Sequence, residues 1–365
     1  MSRLLILDFD GTITQHDTLD TLISLAIAHS APSTSQSQHS GQTDTNPHPN
    51  DDVSTQRSTT DVGPNKHEPT RTKEHFTTVW QTIVQDYITA CEAHRASYHP
   101  PADQRTSLQE ELAFLESWEP IERASVARVS EAGFFRGLGS PSLSGSEGDV
   151  EGRALMRLGR SAVRLPASGG LGHGGANGEP VLERGFVELR KGFGEFMHRV
   201  GTAGWEVAVA SVNWSDDFIR GVVHAGCHGH GGSGTSSEDG WPGRVLANKV
   251  RFADGQILGP HELGGEPLVT AGDKLRAMKE LLRRRENSED VQKVVYVGDS
   301  TTDLACLVEA DLGIAIADSQ ESKLLKTMER IQLRVPHVGE ADAGSRLVWA
   351  RDFEEVLRSG IMDEL

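Results

Sequence analysis

The chain has 365 residues, 36% of them hydrophobic, a length that permits one to three domains and a content low enough to imply that part of it stays unpacked. Its 53 acids against 36 Lys and Arg give a net charge of -17, which disfavours nucleic acid and anionic membranes as partners. Three widely spaced cysteines argue against a disulfide framework and fit a reducing compartment. There is no run of about 18 apolar residues to span a membrane, and the N-terminus lacks the pattern of a signal peptide. A soluble cytoplasmic protein is expected.

The first element is Leu4 to Leu7, an apolar run too short for a helix that reads as a buried parallel strand. It ends in Asp8-Phe9-Asp10-Gly11-Thr12. The two acids therefore sit at the carboxyl end of a strand, where ligands bind in open α/β sheets. Side chains two apart share one side of a strand. Paired carboxylates repel unless a cation or a proton separates them, so the pattern points to metal-assisted phosphate chemistry. Gly11 permits a sharp turn close to a ligand. Asp17 then starts a helix carrying Leu19, Leu22, Ile23 and Ala26.

From 31 to 73 polar residues dominate, and the segment is predicted to be disordered. Helical spacing returns with Phe76, Val79, Trp80, Ile83, Tyr87 and Ile88, and again with Leu108, Leu112, Leu115, Trp118 and Val126. Pro120 is expected to break or kink the second stretch. Residues 137–180 are rich in Gly and Ser and read as a second disordered insert, with a short helix near Arg153 to Leu158. Order resumes at Leu182. Strands are predicted at 204–211, 291–299 and 312–317, with a strand-turn-strand around Asp254-Gly255. Gly272-Asp273-Lys274 opens a helix that Asp273 can cap. Cys227, His228 and His230 lie in a glycine-rich setting and are read as a loop rather than a ligand set.

The alternation predicts an α/β, Rossmann-like doubly wound parallel sheet with an inserted helical cap. The core is assigned to 1–17 and 182–335, the cap to 18–181, and 336–365 to an extension packing on the core. Four signals fall at strand ends or a helix start: Asp8-x-Asp10-Gly11-Thr12, Ser211, Lys274 and Gly298-Asp299-x3-Asp303. In this order the chain resembles the haloacid-dehalogenase superfamily, within it the phosphoserine-phosphatase-like group, over roughly residues 1–30, 74–135 and 182–320.

That resemblance implies a magnesium-dependent phosphatase acting on a small phosphorylated metabolite. Asp8 would be the nucleophile and Asp10 the general acid and base. Mg2+ would be held by the Asp8 carboxylate, the Asp10 carbonyl and Asp299. Ser211 and Lys274 would bind the phosphoryl group, and Asp303 would hold Lys274 or a metal-bound water. Thr12 and the amides of Gly11 and Asn213 would complete the phosphate pocket. Glu122, Arg123 and Arg136 are the cap charges expected to select the substrate. Two alternatives stand beside this reading: a phosphomutase, and a catalytically silent binding protein of the same fold. The oligomeric state is not readable from the sequence.

Overall fold

A computed structural model describes residues 3–30, 72–138, 151–164, 186–228, 241, 243–283, 293–342 and 344–364. Most of both inserts predicted as disordered, along with His230, lies outside the described residues. The chain begins with β1 (Arg3–Leu7) and α1 (Leu19–Ser30). Three helices follow: α2 (Lys73–Ser97), α3 (Leu108–Glu116) and α4 (Glu119–Ala132). Then come α5 (Glu151–Ala162), α6 (Phe193–Thr202), β2 (Glu206–Ala210), α7 (Asp216–His228) and β3 (Arg244–Leu246). A hairpin of β4 (Lys249–Arg251) and β5 (Gln256–Leu258) leads to α8 (Ala271–Arg283). The last part is β6 (Lys293–Gly298), α9 (Leu304–Glu309), β7 (Leu312–Ile316), α10 (Lys323–Arg330), β8 (Leu347–Ala350) and α11 (Phe353–Ser359).

Six strands form one parallel sheet in the order β3-β2-β1-β6-β7-β8. β1 lies inside it, between β2 and β6. Alternation sends Leu5 and Leu7 into the core on one face, and Leu4 and Ile6 into the core on the other. That double burial is why β1 reads as an unbroken apolar run. The fold is the expected Rossmann-like α/β class.

The structure adjusts several local readings. The second helical stretch is broken just ahead of Pro120, which sits in the first turn of α4, where its missing N–H costs nothing. Thr270 caps α8, and Asp273 answers from the third position by accepting from the amides of Val269 and Thr270. The region 245–259 holds the expected hairpin, but its first residues form β3, which pairs with β2. Buried Asn248 separates the two by bonding Val212 and Leu268 instead of continuing a ladder. Residues 336–365 do more than pack on the core: β8 extends the sheet beside β7, and Phe353 lies against Phe193 and Phe196.

The short helix expected near Arg153–Leu158 is the longer α5, an ordered part of the segment predicted as disordered. It packs on α7 through two glycines. A Cβ on Gly221 would fall 2.1 Å from the Met156 carbonyl oxygen, and one on Gly159 2.5 Å from that of Phe218. The backbones can approach this closely only without side chains at both points. Gly221→Val is expected to destabilise the protein by about 1–3 kcal/mol, read by urea denaturation. An unchanged midpoint would mean that the two helices do not need this approach.

Candidate active site

The site lies at the carboxyl end of the sheet, where β1, β2 and β6 stop and α8 begins. β1 hands Asp8 to the site with its amide bonded to the Val297 carbonyl of β6 (2.9 Å). Lys274 reaches in from the first turn of α8 and is 1% exposed. Its Nζ lies 2.9 Å from Asp8 Oδ1 and 2.8 Å from Asp303 Oδ1. Burial would push the lysine pKa down, but the two carboxylates outweigh it and raise it above the ordinary lysine range. Asp303 is fully engaged. Its Oδ1 also accepts from the Tyr296 hydroxyl (2.7 Å), and its Oδ2 accepts from the Ser300 amide and hydroxyl.

Asp299 follows β6 and closes the group. Oxygens of Asp8, Asp299 and Asp303 lie within 4.8 Å of one another, the one cluster of potential metal ligands among the described residues. Three acids against one lysine leave the site electron-rich. Burial first, then the charge of Asp303, raises the Asp8 carboxyl well above the usual range. The same two causes lift Asp299 to about 7. A divalent cation with hard oxygen preference fits this donor set. Since both Asp303 oxygens are taken by Lys274, Tyr296 and Ser300, Asp8 and Asp299 are the carboxylates with an oxygen to spare.

Gly11 has φ +76, and a Cβ there would meet Asp299 Oδ2 at 2.3 Å. Glycine is thus required both for the turn and for the approach of β6's acid. Thr12, expected at the phosphate pocket, donates its hydroxyl to Asp299 Oδ1 (2.9 Å) and orients it. The Gly11 amide, predicted to face phosphate, is bonded to Thr14 Oγ1 (3.2 Å).

Asp10 is held apart from the cluster. Its Oδ1 accepts from the Thr18 amide (2.8 Å) and hydroxyl (2.7 Å), and its Oδ2 from Asn213 Nδ2 (2.8 Å). Burial, aided by the charge of Asp17 and opposed by these bonds, raises its pKa to about 6. Ser211 is buried at the end of β2, and its Oγ accepts from the Asn213 amide (3.1 Å). The Asn213 amide expected to face phosphate is therefore engaged, and the Asn213 side chain serves Asp10.

Arg123 and Glu122 have partners of their own among the described residues. Arg123 pairs with Glu119 (2.7 Å) and Glu266 (3.7 Å), joining α4 to the segment before α8. Arg136 is at the surface, its amide beside Gly255 in the hairpin turn. Neither forms a hydrogen bond or ion pair with the acidic cluster among the described residues. Glu122 accepts from the Tyr87 hydroxyl (2.7 Å) within the helical unit. Cys227 and His228 end α7, where burial raises the Cys227 thiol to about 11 and His228 bonds the His224 carbonyl. Sequence reasoning missed Thr18, which bonds Asp10, and Tyr296, which bonds Asp303. Tyr296 had a signal: it lies two residues before Gly298 on one strand, on the side that faces the site.

No family model matches the chain. A search of curated proteins finds the bifunctional TH2 protein, mitochondrial, of Arabidopsis thaliana, 32% identical over 116 residues. The match covers 31% of this chain and 16% of that protein's length. Among solved structures, a phospho-aspartyl intermediate analogue of phosphoserine phosphatase aligns over 98% of both chains, with TM-score 0.41 and 13% identity. A phosphoserine phosphohydrolase-like protein from Francisella tularensis aligns over 98% of this chain and 99% of its own, with TM-score 0.39 and 14% identity. Likeness of this degree assigns no activity, and the fold rests on the sheet described above.

The buried acids make the metal-free protein sensitive to pH. Asp10 and Asp299 have folded pKa values of about 6 and about 7, above about 3.9 in an unfolded chain. The folded state thus binds more protons, and stability falls as pH rises from about 4 to about 7. We expect the melting temperature in EDTA to drop across this range and magnesium to flatten the drop. A melting temperature that rises with pH in EDTA would contradict the assignment.

Proposed function

We propose that this chain is a phosphomonoesterase of the haloacid-dehalogenase superfamily, dependent on Mg2+, that hydrolyses a small phosphorylated metabolite through an aspartyl-phosphate. The observation that carries the reading is Lys274 bonded at once to Asp8 and Asp303, beside Asp299, with Asp10 held separately by Thr18 and Asn213. A silent binding protein needs neither the buried lysine nor two acids in separate environments.

In this reading an Asp8 oxygen attacks phosphorus in line with the leaving alcohol, and the bond from phosphorus to the alcohol oxygen breaks. Asp10 gives that oxygen its proton. A carboxyl with a pKa of about 6 is about one-tenth protonated at pH 7, enough to supply an acid while regenerating a base. Asp10 then takes a proton from water as the water attacks phosphorus, releasing phosphate and restoring Asp8. Lys274 offsets charge on Asp8 and on the phosphoryl oxygens, and Asp303 and Tyr296 keep it in place. The Ser211 hydroxyl, buried beside the Asn213 turn, is assigned to a phosphoryl oxygen. Bound magnesium, held by Asp8, Asp299 and the Asp10 carbonyl, would supply positive charge to the phosphoryl group.

The helical unit α2–α4 is taken as the cap that selects the leaving group. Three free cysteines fit a reducing compartment, for which we propose the cytoplasm. Among the described residues, no helix is long and apolar enough to cross a membrane.

The test is phosphate release from para-nitrophenyl phosphate and a panel of metabolite phosphates, with magnesium or EDTA. Activity is expected with magnesium alone, absent in Asp8→Asn, and reduced by about 10²–10⁴ in Asp10→Asn. A wild-type protein inactive on the whole panel would sink the reading and favour a binding role.

A further inference from the structure

We propose that Arg190 is a positioning residue for this site: it grips the carbonyl of Gly11 and ties the turn carrying Asp10 and Thr12 to the ends of β7 and β8. Only the kinetic half of its test rests on the phosphatase reading.

Arg190 lies just ahead of α6, in a strip zipped to the turn after β1. Its amide donates to the Ile13 carbonyl (2.9 Å), the Gln15 amide donates to Glu188 (2.7 Å), and Leu189 bridges Thr14. The side chain is buried. One guanidinium nitrogen donates to the carbonyl of Gly11 (2.5 Å) and more distantly to that of Gln15 (3.5 Å). The other donates to Asp318 Oδ1 (2.7 Å) and to the Arg351 carbonyl (3.2 Å). Asp318 stands just beyond β7 and Arg351 just beyond β8. One planar side chain thus joins the ends of three strands, a geometry lysine cannot reproduce with a single nitrogen.

The grip matters because of what Gly11 touches. Its carbonyl belongs to the peptide that leads into Thr12, whose hydroxyl bonds Asp299. Its own Cα lies against the Asp299 carboxylate. Fixing that peptide fixes the orientation of Asp299 relative to Asp8. A purely structural role explains the residue poorly. Its one acidic partner, Asp318, is 75% exposed, and its buried Nε has no hydrogen-bond partner among the described residues. A buried charge whose one counter-ion is exposed gains little stability from that pair, and an apolar residue would avoid its desolvation.

The test compares wild type with Arg190→Met, Arg190→Lys, Asp318→Asn and the double variant Arg190→Met/Asp318→Asn. The first readout is the rise in melting temperature on titration with magnesium chloride, with Asp299→Asn as the non-binding control. The second is kcat and KM on para-nitrophenyl phosphate. Removing a residue that orients a metal ligand typically costs 10–100-fold. Arg190→Met is therefore expected to raise the magnesium concentration at half-effect by about 10-fold or more, and to lower kcat comparably with KM nearly unchanged. Arg190→Lys should recover only part of this. Asp318→Asn should have a smaller effect alone and none on top of Arg190→Met. If Arg190→Met fails to fold, Arg190→Lys and the surface change Asp318→Asn carry the comparison. Variants that melt earlier but keep the wild-type magnesium half-effect would overturn the proposal, as would a wild type that magnesium does not stabilise. A wild type stabilised by magnesium but inactive on phosphomonoesters, with the half-effect displaced in Arg190→Met, would uphold Arg190's role while removing the phosphatase reading.

Discussion

A lysine ammonium buried between two carboxylates governs the architecture of this site. Lys274 is out of water, so its charge persists only because Asp8 and Asp303 lie within 3 Å of Nζ. Each of those acids would be costly alone, and each is tied to a different strand end. Asp8 follows β1, and Asp303 belongs to the turn after β6. The ion triad therefore works as a gauge of correct assembly. α8 must start where Thr270 and Asp273 cap it, or Lys274 misses both partners and three buried charges lose their ion pairs. Asp299, pulled in by Thr12 and Gly11, adds the surplus negative charge that makes a cation welcome.

The helical unit is attached to this platform along several seams. On one side Glu111 of α3 accepts from Arg105 and from Arg330 of α10, both at 2.8 Å. On the other, Ser130 of α4 accepts from the Ile257 amide of the hairpin (3.0 Å), and Gly137 donates to the Phe252 carbonyl (2.9 Å). Trp80 of α2 meets Trp214 edge-on, next to the Asn213 that holds Asp10. The aromatic and aliphatic stripe of α2 thus faces the interior, as its helical spacing implies, with Phe76 and Ile83 buried and Ile88 the exception at 43% exposed. This seam sets the helical unit beside the turn that holds Asp10.

The strands most legible in the sequence are those buried on both faces. β1, β6 and β7 are continuous apolar runs because the sheet is covered above and below. β3 and β8 escaped notice because they are three and four residues long and carry no period that a window can detect. Of the site, the acids and the lysine were legible because strand ends and a helix start confine them. The structure brings Asp8, Lys274, Asp299 and Asp303 together, with Asp10 and Ser211 on neighbouring turns. The supporting hydrogen bonds were not legible. Thr18 reads as an ordinary residue at a helix start, and Tyr296 as an ordinary strand aromatic, until the fold sets them against Asp10 and Asp303. Arg123 and Arg136 stand out in the sequence by charge alone, and charge does not say which way a surface residue faces.

The position of β1 in the sheet also bears on how the chain acquires its structure. Leu4 pairs with Glu206 on one side and with Val294 on the other. During synthesis the strand that carries Asp8 precedes both of its neighbours, β2 and β6, and has no partner in the sheet until they have followed. Pairings this distant in sequence are slow to form and leave strand edges open meanwhile. β1 is also among the most apolar stretches of the chain. Segments of this kind are hazards while unpaired, and Arg3 on one side with Asp8 and Asp10 on the other supply charge at both ends. The same acids that stand at the end of β1 in the folded state thus serve as gatekeepers for the nascent strand.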